Sequence, residues 1–177
     1  MKILLIRHAR RAHALAEKND PLSPDGKEEA LELGKVMKKS GDVPLLFLTS
    51  KQRHARQTAE ILRRHLNPKA ALVPLDALTP HAPHPLVDAN KYIEAIAHDL
   101  AALSTVAPHI KDSLRGTVAI ILHHPRNIQC ALQLQNKDPS TWRNYRRGTF
   151  PSFGKAIHLT ADTWDDFLQG KGRSRRR

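Results

Sequence analysis

The sequence predicts an α/β protein, a three-layer α/β/α sandwich with helices on both faces of a mainly parallel central sheet. Three observations predict it. Short, almost continuous runs of Ile, Leu and Val at Lys2–Arg7, Pro44–Thr49 and Thr117–Leu122 read as strands buried on both faces, as in parallel sheets. Longer segments with apolar residues at helical spacing lie between them. No internal repeat and no linker divides the 177 residues, so strand and helix alternate within one expected domain, 1–170.

Taken in order, Lys2–Arg7 is the first strand. Asp20-Pro21-Leu22-Ser23-Pro24-Asp25-Gly26 then starts a helix: Ser23 is placed to cap it, Pro24 takes the first helical position, and Asp25, Glu28 and Glu29 suit the positive end of the dipole. Ala30, Leu31, Leu33, Val36 and Met37 give this helix an inward face as far as Lys39. Pro44–Thr49 is the second strand, followed by a helix over Arg53–Leu66 with Ala55, Ala59, Ile61 and Leu62 inward. Ala71–Leu75 is a shorter strand, and the three prolines of Thr79–Pro85 make a loop. Tyr92, Ile93, Ile96, Ala97, Leu100 and Leu103 mark a third long helix. Thr117–Leu122 is a β-branched apolar strand, Ile128–Leu134 a short helix, Lys155–Leu159 a last strand, and Trp164 and Phe167 sit on a terminal helix.

Composition narrows the function. A chain of this length buries enough surface to hold together without disulfide or metal, and its single cysteine, Cys130, fits a reducing, cytoplasmic setting. The apolar run before Arg7 is shorter than a secretory core region, and no stretch reaches membrane-span length, so a soluble protein with no membrane partner is expected. The net charge is +12. Part of it sits in the tail 171–177, where Lys171, Arg173, Arg175, Arg176 and Arg177 have no acid among them and disorder is expected. Such a tail could touch nucleic acid, but no aromatic-rich basic stripe supports that reading, and nucleic acid is ranked last as a partner.

Ligands of such sheets bind beyond the carboxyl ends of the strands. Here those ends read Arg7-His8, then Thr49-Ser50 before an Arg/His-rich helix start, then His123-His124-Pro125. Imidazoles and guanidiniums converging on one pocket are what a dianionic phosphoryl group requires.

Four blocks in order resemble the histidine phosphatase superfamily, the phosphoglycerate mutase-like family: Arg7-His8-Ala9; Pro21-Leu22-Ser23-Pro24-Asp25-Gly26; Ser50 to Leu62, which looks like "S-P-x-x-R-A-x-Q-T-A"; and Ile120 to Pro125. The compact length and Leu78-Thr79-Pro80 look most like its small bacterial phosphohistidine phosphatases. The resemblance implies a phosphatase without metal or cofactor, acting on a phosphorylated protein or small phosphorylated substrate. His8 would attack phosphorus and become a phosphohistidine that water hydrolyses. Arg7 would hold the non-bridging oxygens, and His123, as a cation, would stabilise the transferring group. His124 reads as a variable position. His81 and His84 lack the carboxylate or cysteine partners of a metal site, and Cys130 reads as an inert core thiol.

Two departures stand out. The family's second phosphate-binding arginine falls on His54, flanked by Arg53 and Arg56. A one-residue shift turns a helical side chain by about 100°, so either His54 serves beside the phosphate or Arg53 or Arg56 reaches in, with a role shared by Arg53 and His54 preferred. Ala77 stands where many members carry an acidic residue, leaving Asp76 or His81 as substitutes. Leaving groups that depart without protonation are therefore favoured over alkyl phosphates, and mutase chemistry is disfavoured. The same departures keep open a degenerate member that binds phosphate or a phosphoprotein without turnover.

Overall fold

The computed structural model describes residues 2–12, 19–79, 98–99, 101–103, 105, 107–122, 156–160 and 173–174. Six strands form one sheet: β1 (Lys2–Arg7), β2 (Leu46–Ser50), β3 (Ala71–Leu75), β4 (Thr117–Leu122), β5 (Ala156–Thr160) and β6 (Arg173–Ser174), in the order β3-β2-β4-β1-β5-β6. The four strands from β3 to β1 are all parallel, β5 runs antiparallel to β1, and β6 pairs antiparallel with β5. The mainly parallel sheet expected from the sequence is therefore observed, and two residues of the basic segment form its last strand.

The apolar runs are continuous because both sheet faces are covered. Leu4, Ile6, Phe47, Ala119 and Ile121 form one face and pack in a single cluster with Leu33 and Met37 of α1 (Pro24–Lys39) and Ala55, Ala59 and Leu62 of α2 (Arg53–Leu66). On the opposite face Ile3, Leu5, Leu46, Leu48, Val118 and Ile120 are equally buried. Each such side chain contributes about 1.5–3 kcal/mol by leaving water. Pro74, which has no N–H for a ladder, lies on β3, bordered by β2 alone among the described strands.

The sequence marks the ends of α1 well. The Ser23 hydroxyl accepts the Gly26 N–H at 2.9 Å, Pro24 occupies the first turn, and Lys38 and Lys39 sit at the negative end. Gly41 just beyond takes φ +74°, a terminator that costs a residue without a Cβ little. The inward stripe is narrower than expected: Ala30, Leu33 and Met37 are buried, whereas Leu31 and Val36, rotated off that line, are exposed. β2 begins later than Pro44, whose carbonyl instead accepts from the Asn67 side chain, and it extends to Ser50. A short helix, α3 (Pro108–Ser113), opened by Pro108, is an addition to the elements that the pattern predicts. Of the third predicted helix, residues 98–99 and 101–103 are helical; its other residues, the 128–134 helix, and Trp164 and Phe167 lie outside the described residues.

One close approach fixes how β1 hands over to α1. The Arg10 carbonyl accepts the Ser23 N–H at 3.0 Å, which brings it against the first turn of the helix at Gly26. A Cβ on Gly26 would overlap that oxygen. Gly26→Ala must move the backbone, so the expected loss is about 1–3 kcal/mol. For a domain of this size that is a fall in Tm of roughly 2–10 °C. Thermal unfolding of the two proteins measures it, and an unchanged midpoint would show that the crossing is not rigid.

Candidate active site

The parallel register sets strand ends side by side. Arg7 lies opposite Leu122, Thr49 opposite Ile121 and Ser50 opposite Leu75, so β1, β2, β3 and β4 all finish at one edge. His8 is the first residue beyond β1 and is 6% exposed. Its Nδ1 lies 2.8 Å from the carbonyl oxygen of Ala9. A carbonyl only accepts, so Nδ1 carries the proton and the lone pair of the neutral ring sits on Nε2. Burial pushes the ring's pKa down to about 3, assisted by His54, Arg7 and Arg11. At neutral pH His8 is an unprotonated base of fixed tautomer.

His54, in the first turn of α2, is fully buried. Its ring meets that of His8 edge to face, with centroids 4.4 Å apart at 63°. Its Nδ1–H donates to the Asp20 carbonyl at 3.1 Å, so its lone pair also sits on Nε2. Burial, with the charge of Arg11, lowers its pKa to about 4, below the ordinary histidine value that the sequence alone suggests. Arg7 is half-buried at the end of β1; burial and the neighbouring Arg11 charge lower its pKa. A guanidinium keeps its proton at any physiological pH.

The Gln57-Thr58 pair of the third sequence block acts on this geometry from behind. The Thr58 hydroxyl accepts the Ala9 N–H at 3.1 Å and donates to the His54 carbonyl at 2.8 Å, tying the loop that carries one imidazole to the helix that carries the other. Gln57 Oε1 accepts the Leu22 N–H at 2.7 Å. Asn19 Oδ1 accepts the Arg53 N–H at 3.0 Å, so segment 19–22 is stitched along α2.

The structure thus brings together Arg7, His8 and His54. It places the exposed side chains of Arg53 and Arg56 elsewhere, along a groove on the outer side of α2. Asp76, at the end of β3, is ion-paired with Lys51 at 2.6 Å. His81, His123 and His124, with His84 and Cys130, lie outside the described residues. Three contributors escape the sequence reading. Arg11 follows the Arg7-His8-Ala9 block by two residues and its charge acts on both imidazoles. Asp20 holds His54 through its carbonyl, and its own buried Oδ2 has no hydrogen-bond partner among the described residues. Thr58 reads in the sequence as part of a motif, and only the structure shows it as a tether. Among the described residues no three His, Cys, Asp or Glu side chains gather as metal ligands, and no helix is long and apolar enough to cross a membrane.

A parallel sheet with a buried, tautomer-fixed histidine beside a guanidinium at its carboxyl edge defines a class. Residues 3–79 match the family model described as histidine phosphatase superfamily (branch 1), the family the sequence blocks resemble. No curated protein sequence matches it significantly. Among solved structures it is similar to the protein histidine phosphatase SixA complexed with tungstate, at 20% identity and TM-score 0.67 over 99% of this chain and 95% of that one. It is also similar to the α-ribazole phosphatase from Shigella flexneri (15%, TM-score 0.67, 99% and 95%) and to a mycobacterial glucosyl-3-phosphoglycerate phosphatase (17%, TM-score 0.65, 98% and 95%). Its fold is that of these phosphoglycerate mutase-like histidine phosphatases.

Two outcomes are expected. Thr58→Val removes a buried acceptor and donor and leaves the Ala9 N–H unsatisfied, which costs about 1–3 kcal/mol, while Thr58→Ser retains most of the stability. Urea unfolding compares them, and equal stability of Val and wild type would remove the tether. The depressed histidines also set a pH slope. Both rings are neutral when folded but protonate near pH 6.5 when unfolded, so the unfolded state binds more protons between about pH 4 and 6.5. Stability therefore falls as pH drops from 6.5, and His54→Gln flattens that slope in melting curves between pH 6.5 and 5. An unaltered slope would show that His54 titrates normally.

Proposed function

We propose that the protein is a phosphatase in which Nε2 of His8 attacks a phosphohistidine or phosphomonoester and carries the phosphoryl group as a covalent intermediate. The observation that carries this reading is the Nδ1–H bond from His8 to the Ala9 carbonyl, with the ring buried and unprotonated. A nucleophile must present a lone pair at working pH, and here it need not wait for a proton to leave. As the Nε2–P bond forms, the bond from phosphorus to the substrate's nitrogen or oxygen breaks, and the leaving group takes that electron pair. Water then attacks phosphorus, the N–P pair returns to Nε2, and the water's proton goes to solvent with phosphate.

Arg7 and Arg11 supply positive charge beside the ring. His123 is assigned the remaining cationic role. In the sequence it directly follows Leu122, the residue that pairs with Arg7. Asp76 is engaged by Lys51, which supports leaving groups that need no acid, such as an imidazole. Among the similar structures, SixA is a protein histidine phosphatase complexed with tungstate, an oxyanion, whereas the other two are named for small molecules, α-ribazole and glucosyl-3-phosphoglycerate. The first fits the leaving-group argument better, so a phosphorylated protein in a cytoplasmic setting, without metal or cofactor, is the substrate reading preferred.

His54 supports a second reading, of phosphate binding without turnover. A buried neutral imidazole offers a dianion less than a guanidinium does. To act as a cation it must take up a proton when phosphate arrives, so affinity should fall as pH rises from about 5 to 8. Calorimetry in buffers of different ionisation enthalpy reads that proton uptake directly; none would exclude His54 from the phosphate. Turnover separates the two readings. Wild type should hydrolyse p-nitrophenyl phosphate and yield a base-stable, protein-bound phosphoryl group after a rapid denaturing quench, and His8→Ala should do neither. Hydrolysis surviving in His8→Ala would overturn the mechanism; phosphate binding without hydrolysis in wild type would select the second reading.

A further inference from the structure

The groove on the outer side of α2 is separate from the pair of imidazoles yet joined to it. It measures about 460 Å³, within the usual size of a ligand site, and is lined by Asn19, Lys51, Arg53, Arg56, Gln57 and Leu72. Arg53 and Arg56 are three positions apart and so project from the same side of the helix, whereas His54 between them is rotated about 100° from Arg53 and is buried. Among the described residues neither guanidinium has a carboxylate partner. Lys51 has one, Asp76, and Glu60, which also lines the groove, is held by Arg63 and Arg64 at 3.1 and 2.9 Å. The first turn of α2 contains no acid, and its N-cap, Gln52, makes no capping bond, so the dipole adds to the positive potential.

From this we infer that the groove is a docking site for an acidic segment of the phosphorylated protein on which His8 acts, an inference that rests on the phosphatase reading above. Planar guanidiniums on one helix face suit carboxylates, each taken as a two-pronged pair. The anchored group is not the reacting phosphoryl. Segment 19–22 lines the groove through Asn19, bonded to Arg53, and holds His54 through Asp20 on its inner side. A ligand touching both sites therefore carries an acidic residue a few positions along an extended chain from its phosphorylated residue, at roughly 3.3 Å per residue. A groove walled by Leu72 and without an aromatic platform among the described residues favours such a peptide over single-stranded nucleic acid.

The test compares two synthetic phosphohistidine peptides that differ only in having Glu or Gln around the phosphorylated residue. Wild type should cleave the Glu peptide about tenfold faster in kcat/KM, and the ratio should shrink towards one in high salt. Arg53→Glu/Arg56→Glu, or the milder Arg53→Gln/Arg56→Gln, should bring the ratio to one or below whatever happens to the rate on p-nitrophenyl phosphate. Lys38→Glu/Lys39→Glu, the same charge change at the far end of α1, should keep it. Fluorescence anisotropy with the unphosphorylated Glu peptide reads the groove without turnover, so a failure of catalysis and a failure of docking are told apart. Equal rates on both peptides in wild type, a preference that survives in both arginine variants, or an oligonucleotide displacing the peptide more effectively than free Glu peptide does would each overturn the inference.

Discussion

A neutral imidazole carries one proton, and its location decides which nitrogen can attack an electrophile. In this protein the carbonyl of Ala9 keeps that proton on Nδ1 of His8, and the Ala9 N–H is in turn held by Thr58 of α2. The orientation of the His8 ring is thus set by one short loop, whose direction depends on a hydroxyl from another element. Gly26 keeps the loop close to α1, Gln57 keeps segment 19–22 close to α2, and the buried parallel strands set where the loop starts. Each of these supports acts on the backbone that carries the His8 ring rather than on the ring itself.

The chemistry of His54 follows from the same enclosure. An arginine at its position would bring its charge regardless of surroundings, because a guanidinium does not lose its proton. An imidazole does. Full burial and the charge of Arg11 favour the uncharged form, while the Asp20 carbonyl bond and carboxylate oppose them without prevailing. If His54 meets the phosphate as proposed, binding and protonation become one event, in which the ligand supplies the negative charge that favours the charged ring.

Much of this architecture is legible in the residues, because the strongest signals are also the most local. The ends of β1, α2, β3 and β4 coincide with the sequence reading, since apolar runs buried on both faces have no competing interpretation and helix starts have specific chemistry. The apolar pattern of α1 overstates its buried stripe: Leu31 and Val36 are apolar, but the turn angle sends them outward. α3 carries no amphipathic period long enough to register in six residues. At the site, Arg7, His8 and His54 are legible as residue types at strand and helix ends. Arg11 is not, because its contribution comes from the return of the chain against Leu22, and no residue spacing encodes that return. The separation of Arg53 from His54 is implicit in helix geometry, but only the placement of segment 19–22 shows which of the two faces inward.

That separation gives two adjacent residues different work. The buried position lies against the His8 ring and is closed to a large ligand; the exposed position one residue earlier lines the groove and is open to one. The burial that performs the first task also makes the fold vulnerable. Withdrawing two imidazoles from water keeps them unprotonated and ready to donate a lone pair at neutral pH, and the same withdrawal means that acid stabilises the unfolded chain, in which both are free to take up a proton. A lone pair kept free in mild acid and a fold weakened in mild acid are one free-energy difference seen from the folded and the unfolded side, so a change that relieved the acid sensitivity by exposing His8 would also let its ring protonate as pH falls below about 6.5.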